Sequence, residues 1–158
     1  MKQTLLVLLL ITSTTSLLVA QTDNSTERKK EFNLAKNTLA LNGYDVVSYF
    51  KQTKPAKGNS SYAAVYQGIT YYFSNAANKD AFLKNPTQYE PQYGGWCAYA
   101  MGNDGTKVEV DPETYKITNG KLYLFYHSFF NNTLNKWNAD EQKLMKSADA
   151  NWVKIYKP

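Results

Sequence analysis

Residues 93–103 read Tyr-Gly-Gly-Trp-Cys-Ala-Tyr-Ala-Met-Gly-Asn, and this stretch decides the fold. It holds Cys97, the only cysteine of the chain, and it predicts a short, tightly packed helix between two glycine breaks. Cys97 is expected in the first turn, where the positive end of the helix dipole favours a thiolate. Met101 follows four residues later, on the same face of the helix. The rest of the chain is expected to pack around this element.

Two glycine-containing turns predict β-hairpins on either side of the central stretch. Gln67-Gly68 separates the β-prone residues 62–66 and 69–73, and Asn119-Gly120 separates residues 115–118 and 121–126. Short helices are expected between and after these strands, including one at residues 128–137 and a last, amphipathic helix at residues 140–156. The sequence therefore predicts an α+β fold in which two short antiparallel β-hairpins pack with four or five short helices in a single compact domain.

The first 31 residues differ in character from the rest of the chain. Residues 1–20 resemble a secretory signal peptide, with Lys2 before an apolar run at residues 5–11 and Ala20 at the expected cleavage point. Residues 21–31 are polar and predict a flexible tether, and residues 32–158 form the expected domain. The mature protein is expected to be extracytoplasmic, either periplasmic or secreted, and to have no stable membrane anchor.

Composition and motifs exclude several classes of function. The 158-residue chain is 43 % hydrophobic, and its net charge of +5 is spread over lysines along the sequence, which indicates a solvated surface rather than a nucleic-acid site. Phosphate loops, dinucleotide fingerprints, zinc-ligand pairs and serine-hydrolase elbows are all missing from the sequence. These features favour a binding protein over an enzyme.

Four segments resemble the YHS-domain family, in its subset of small exported proteins: residues 43–50, 68–74, 82–89 and 93–100. The resemblance implies the fold. In members that accompany copper-transporting ATPases it also implies soft-metal binding by cysteine thiolates. The positions of two of those cysteines correspond here to Ser74 and Asn78, which offer no sulfur, and the earlier cysteine near residues 42–45 is missing as well. The resemblance therefore carries no metal function to these positions.

A different metal site is predicted from Cys97, Met101 and His127, the only histidine. A thiolate, a thioether and an imidazole together suit copper, and three ligands suffice for copper(I). Two alternatives remain open. Cys97 and Met101 are ordinary core residues and His127 a surface residue, or Cys97 is a nucleophile with His127 as its base.

Aromatic side chains support a second binding hypothesis. The chain has 13 tyrosines and 3 tryptophans, and aromatic side chains gather in pockets and interfaces. A cavity around the central helix is expected to take a flat molecule such as haem or a quinone, with copper preferred over haem as the cofactor. The alternative is a tyrosine-rich core in a structural or accessory protein. The predicted lining consists of Tyr89, Tyr93, Trp96, Tyr99 and Tyr123.

Overall fold

The structure is a computed structural model and describes residues 24–157. These residues form an α+β domain, which confirms the predicted fold class, with seven α-helices where four or five were expected. The helices are α1 Ser25–Glu31, α2 Ser48–Lys51, α3 Ala76–Lys84, α4 Pro86–Tyr89, α5 Ala98–Asn103, α6 Thr133–Ala139 and α7 Glu141–Ile155. The strands are β1 Leu34–Ala35, β2 Leu39–Ala40, β3 Asn59–Tyr66, β4 Ile69–Phe73, β5 Asp111–Thr118, β6 Lys121–Phe125, β7 His127–Ser128 and β8 Asn131–Asn132.

Both predicted hairpins are present. Strands β3 and β4 pair antiparallel, as do β5 and β6. The turn residues Gln67-Gly68 and Asn119-Gly120 all have positive φ, which is the backbone twist that a two-residue hairpin turn requires. Strands β1 and β2 extend the first hairpin into a four-stranded sheet with the order β1-β2-β4-β3, in which β2 runs parallel to β4.

Strand β6 separates two hydrophobic clusters. Leu122 and Leu124 pack with the sheet and α3, whereas Tyr123 and Phe125 pack with α5, α6 and α7. Successive side chains of a strand point to opposite faces, so a strand that is apolar on both faces can serve two cores. Cys97 forms a parallel bridge to Leu124, which fixes the start of α5 beside this strand.

The prediction of a flexible tether at residues 21–31 is wrong from Ser25 onward, because residues 25–31 form α1. Arg28 and Glu31 are only 5 % and 7 % exposed. Each is paired with a residue distant in sequence, Arg28 with Glu90 and Glu31 with Lys107. Buried charges need such partners, and the polar composition of the segment gave no sign of them. The signal peptide predicted for residues 1–20 lies outside the described residues.

The segment after β6 also differs from the prediction. A helix was expected at residues 128–137, but β7 and β8 form a small hairpin there and α6 begins only at Thr133. Asn132 caps α6 by accepting a hydrogen bond from the amide of Leu134, at 3.0 Å. None of the helices within residues 24–157 has the length and apolar character needed to cross a bilayer.

Candidate functional site

Cys97 lies at the start of α5, one residue earlier than predicted, and is the N-cap residue of that helix. Its side chain is fully buried. The sulfur accepts a hydrogen bond from the amide of Tyr126 at 3.3 Å and lies 3.4 Å from the hydroxyl oxygen of Thr133. Cys97 also lines a cavity of about 260 Å³ together with Tyr99. The thiol is therefore held between three elements at the base of a cleft.

The hydrogen bonds around Cys97 tie its side chain to Tyr126 and to α6. The hydroxyl of Thr133 donates to the carbonyl oxygen of Tyr126 at 2.8 Å, and its oxygen also lies beside the sulfur. The sulfur is therefore part of a local network that joins α5, Tyr126 and α6.

The other two predicted metal ligands have different neighbours. Met101 is fully buried in the core cluster on the α7 side of β6. His127 is exposed, and its Nδ1 lies 3.4 Å from Oδ2 of Asp111. Within residues 24–157, no group of three or more His, Cys, Asp or Glu residues could hold a metal ion. The structure thus places Cys97 and Met101 in one turn and directs His127 toward Asp111, and the copper site stays a prediction.

A second buried polar group lies at Asp45, next to the positions where the family resemblance implies cysteines. Asp45 is 0 % exposed. Its Oδ2 accepts hydrogen bonds from the amide of Ser74 at 2.9 Å, the hydroxyl of Ser74 at 2.7 Å and the side-chain amide of Asn78 at 2.7 Å. Its Oδ1 accepts from the amides of Val47 at 2.9 Å and Ser48 at 3.4 Å. We call Asp45, Ser74 and Asn78 the Asp45 cluster.

The Asp45 cluster ties the α2 region to the end of β4 and to α3. With five donors, the carboxylate has its hydrogen-bonding capacity occupied by the protein itself. A metal ion would have to displace those donors. The cluster is therefore a structural element at the place where the family resemblance implies metal-binding cysteines.

A cavity of about 410 Å³ lies where α1, the segment after α4 and α7 meet. We call it the Arg28 cavity. Its volume is in the range of small-molecule sites. The residues of its lining that matter here are Arg28, Phe32, Glu90, Tyr93, Gly94, Lys121, Asp149, Trp152 and Tyr156.

One wall of the Arg28 cavity is aromatic. The rings of Trp152 and Tyr156 stack with centroids 5.5 Å apart, and Phe32 meets both edge-on at 5.8 and 5.3 Å. Gly94 supports this wall because a Cβ atom there would lie 2.8 Å from Cη2 of Trp152 and 3.0 Å from Cγ of Phe32. A flat ring system would meet an apolar surface here.

Polar residues also line the Arg28 cavity, and Arg28 and Glu90 pair their charges. The guanidinium of Arg28 donates to Oε1 of Glu90, and the hydroxyl of Tyr71 donates to the same oxygen. Burial opposes the charge of Arg28, but the carboxylate of Glu90 outweighs it and raises the pKa of Arg28. The guanidinium also lies over the ring of Phe32, with Cζ 4.4 Å from the centroid.

Tyr93 and Asp149 form the second polar pair of the cavity. The hydroxyl of Tyr93 donates to Oδ1 of Asp149 at 3.0 Å. Burial and the nearby carboxylate of Asp149 raise the pKa of Tyr93, so that the phenol remains protonated at neutral pH. The pair therefore presents a fixed hydrogen bond to the cavity rather than a titrating group.

The five aromatic residues predicted to line one cavity are distributed over several places. Tyr93 lines the Arg28 cavity and Tyr99 lines the cavity beside Cys97. Tyr89 packs edge-on against Phe50, and the indole of Trp96 donates to the carbonyl oxygen of Glu31 at 2.7 Å. Tyr123 is 2 % exposed and packs against Trp137.

Sequence reasoning missed Arg28, Glu90 and Asp45. Arg28 and Glu90 are 62 residues apart, and each looked like an ordinary surface charge. Asp45 accepts from Asn78, 33 residues further along the chain, so its burial had no local signal. A sequence signal for the Arg28 cavity did exist in Phe32, Trp152 and Tyr156, which are aromatic residues close to the two ends of the predicted domain.

The family model described as the YHS domain matches residues 47–93. No curated protein and no solved structure matches the chain.

Proposed function

We propose that this chain, whose residues 47–93 match the YHS-domain model, is an exported binding protein that holds a small, flat organic molecule in the Arg28 cavity. The observation that carries the proposal is the cavity itself. It combines an aromatic wall of Phe32, Trp152 and Tyr156 with hydrogen-bonding side chains, which is the composition of small-molecule sites.

The position of the cavity supports a role specific to this chain. Glu90 and Tyr93 come from the matched residues, whereas Arg28 precedes the match and Trp152 follows it. The segments outside the match therefore fold back onto the YHS domain and complete the cavity with it. Their packing against the YHS domain leaves an open cavity of about 410 Å³ between them.

The lining favours an organic ligand without a bound iron over haem. Haem iron takes His, Cys, Met or Tyr as an axial ligand. The lining contains no His, Cys or Met, and one of its two tyrosines, Tyr93, donates its hydroxyl to Asp149. A quinone-like or naphthalene-like ring fits these groups without requiring a ligand to a metal.

Isothermal titration calorimetry with naphthalene-ring probes tests this proposal. We expect at least one of 2-naphthoate, 2-naphthamide and 2-naphthylmethylamine to bind the full mature chain with a Kd below ~1 mM. Trp152→Ala should weaken that binding about tenfold by removing part of the wall. Phe130→Ala is the matched control, because Phe130 is 93 % exposed and outside the lining. Absence of binding by all three probes would contradict the proposal.

A second candidate is copper(I) bound by Cys97 and Met101, in keeping with the association of YHS domains with metal binding. The supporting observation is that both sulfur-bearing residues lie in one turn, since the amide of Met101 donates to the carbonyl oxygen of Cys97 at 3.0 Å. Copper(I) bound to Cys97 would have to replace the contact between its sulfur and the hydroxyl of Thr133. Titration of copper(I) into the wild type and into Cys97→Ser distinguishes the candidates, and equal affinities would rule this one out.

Export is part of the proposal and has its own test. Lys2, the apolar run at residues 5–11 and Ala20 support cleavage after residue 20. The mass of the protein recovered from outside the cytoplasm of an expressing bacterium should equal that of a chain beginning at Gln21. A full-length mass, or protein confined to the cytoplasm, would contradict export.

A further inference from the structure

The hairpin of β7 and β8 carries two phenylalanines at its end. Phe129 and Phe130 are the two turn residues between the paired positions Ser128 and Asn131. Each of the two side chains is 93 % exposed. Their rings pack edge-on against each other, with centroids 4.7 Å apart. They form an apolar projection, which we call the Phe tip.

The fold does not account for the Phe tip. The central positions of a two-residue hairpin turn favour Asn, Asp and Gly. The other two hairpins of the chain follow this preference with Gly68 and Gly120. A side chain that is 93 % exposed gains almost nothing from burial. Natural proteins break such local rules mainly at functional positions, so the Phe tip is best understood as a contact surface.

The apolar surface at this place is small and isolated. The other large apolar side chains that are exposed within residues 24–157 lie on other elements, namely Tyr62 and Val65 on β3, Leu83 on α3 and Val153 on α7. Scattered residues of this kind are normal on a protein surface. Two adjacent rings at the end of a hairpin are not, and whatever covers them has to do so at this one point.

The size of the Phe tip distinguishes between possible partners. An aromatic side chain buries about 150–250 Å², so two of them supply about 300–500 Å². A stable interface between proteins, including one between two copies of this chain, needs about 800 Å² from each partner. A lipid bilayer requires no matching surface, because each apolar side chain that enters it contributes through its own buried area. The size of the tip therefore favours a bilayer.

Charge favours a bilayer with anionic headgroups. The chain has a net charge of +5, and residues 114–139, which include the tip, contain three lysines and no Asp or Glu. At the base of the hairpin the carboxylate of Asp111 is paired with His127, whose Nδ1 lies 3.4 Å from Oδ2. Asp104 and Lys136, which line one cavity, balance each other in charge. A positively charged chain is attracted to an anionic membrane surface.

We propose that the Phe tip inserts reversibly into the surface of a lipid bilayer that carries anionic headgroups. Two side chains at the end of a hairpin reach the boundary between headgroups and acyl chains, so the contact is peripheral and differs from a stable anchor. The inference does not depend on the Arg28 cavity. It adds a membrane surface as the place where the binding protein acts.

Co-sedimentation of the mature chain with lipid vesicles tests this proposal. We expect binding to vesicles of equal parts phosphatidylglycerol and phosphatidylcholine to be half-complete at about 1 mM lipid, which is weaker than for a single myristoyl chain. A variant with both Phe129→Ser and Phe130→Ser should bind about tenfold more weakly or less, with an unchanged Tm, because both side chains are exposed. Val65→Ser is the matched control, since Val65 is 67 % exposed on β3.

The proposal is overturned if wild type does not bind these vesicles, if the double variant binds as wild type does, or if Val65→Ser weakens binding equally. Equal binding to vesicles of phosphatidylcholine alone overturns the assignment to an anionic surface. Self-association of wild type that the double variant loses, without vesicle binding, would make the tip a contact between copies and also overturn the proposal. None of these outcomes bears on ligand binding in the Arg28 cavity, because the vesicles carry no aromatic ligand.

Discussion

The Asp45 cluster and the Arg28 cavity are both built on a buried charge, but only one of them is complete. Asp45 has five donors from its own chain. Arg28 binds Glu90 through its terminal nitrogen and leaves Nε without an acceptor. A complete network stabilises the fold and leaves no place for a ligand. The Arg28 cavity instead leaves about 410 Å³ of space beside the aromatic rings of Trp152 and Tyr156.

The largest effect is expected for Asp45→Asn, which places an amide among groups that all donate. We expect the free energy of unfolding to fall by ~3 kcal/mol, because at least one buried donor loses its acceptor and the charge that bound the others is gone. Urea denaturation measures this loss. Asp80→Asn, at an exposed carboxylate on α3, should change stability by less than ~0.5 kcal/mol. An equally small effect at Asp45 would contradict the structural role of the cluster.

Gly94→Ala should give the next largest effect and should act on the cavity. Gly94 has a φ of +60°, and its added Cβ would clash with Trp152 and Phe32. We expect a loss of stability of ~2 kcal/mol and weaker binding of 2-naphthoate. Gly120→Ala separates the two causes, because Gly120 has a φ of +71° and only one contact, at 3.8 Å. If both variants bound the probe as wild type does, Gly94 would not support the aromatic wall.

Tyr93→Phe tests the polar pairs of the Arg28 cavity, because it removes one of their hydrogen bonds. The variant deletes the donor to Asp149 and should cost ~1 kcal/mol of stability. Because Asp149 then lacks its donor, affinity for 2-naphthoate should fall several-fold while affinity for 2-naphthamide is kept. Calorimetry with both probes checks this. Parallel loss of both affinities would show that Tyr93 contributes ring contact only.

The smallest effect is expected for Glu141, which lies outside the Asp45 cluster and the Arg28 cavity. It concerns how the free energy of unfolding depends on pH. Burial opposes its ionisation, but hydrogen bonds from Lys116, Trp137 and Thr118 outweigh it and lower the pKa of Glu141. A carboxyl group with a lowered pKa in the folded state contributes stability above its unfolded pKa, and this is lost as pH falls. Below about pH 4.5, Glu141→Gln should therefore lose less stability than wild type, by ~1 kcal/mol or less.

Exposed Glu109 provides the control for this acid effect. Glu109→Gln should follow the wild-type pH profile in thermal or urea unfolding between about pH 3 and pH 7. If Glu141→Gln lost stability with falling pH as steeply as wild type does, the hydrogen bonds to Glu141 would not explain acid sensitivity.

The fold was predictable where the signals are local. Gln67-Gly68 and Asn119-Gly120 specify their hairpins through neighbouring residues alone, and the helix after the Gly94-Gly95 break follows from the same kind of signal. The sites depend on distant pairs. Asp45 meets Asn78 across 33 positions and Arg28 meets Glu90 across 62, so neither polar group could be distinguished from a surface residue before the chain is folded.

The central claim is that ligands enter the Arg28 cavity and not the positions where the family resemblance implies cysteines. Titration of 2-naphthoate into ¹⁵N-labelled protein, followed by ¹H–¹⁵N NMR, tests it most directly. We predict shifts of the Gly94 amide, the Trp152 indole and the Arg28 Nε, with the Ser74 and Asn78 amides unchanged. Shifts centred on Ser74 and Asn78 or on Cys97, or a spectrum that does not change, would contradict the account.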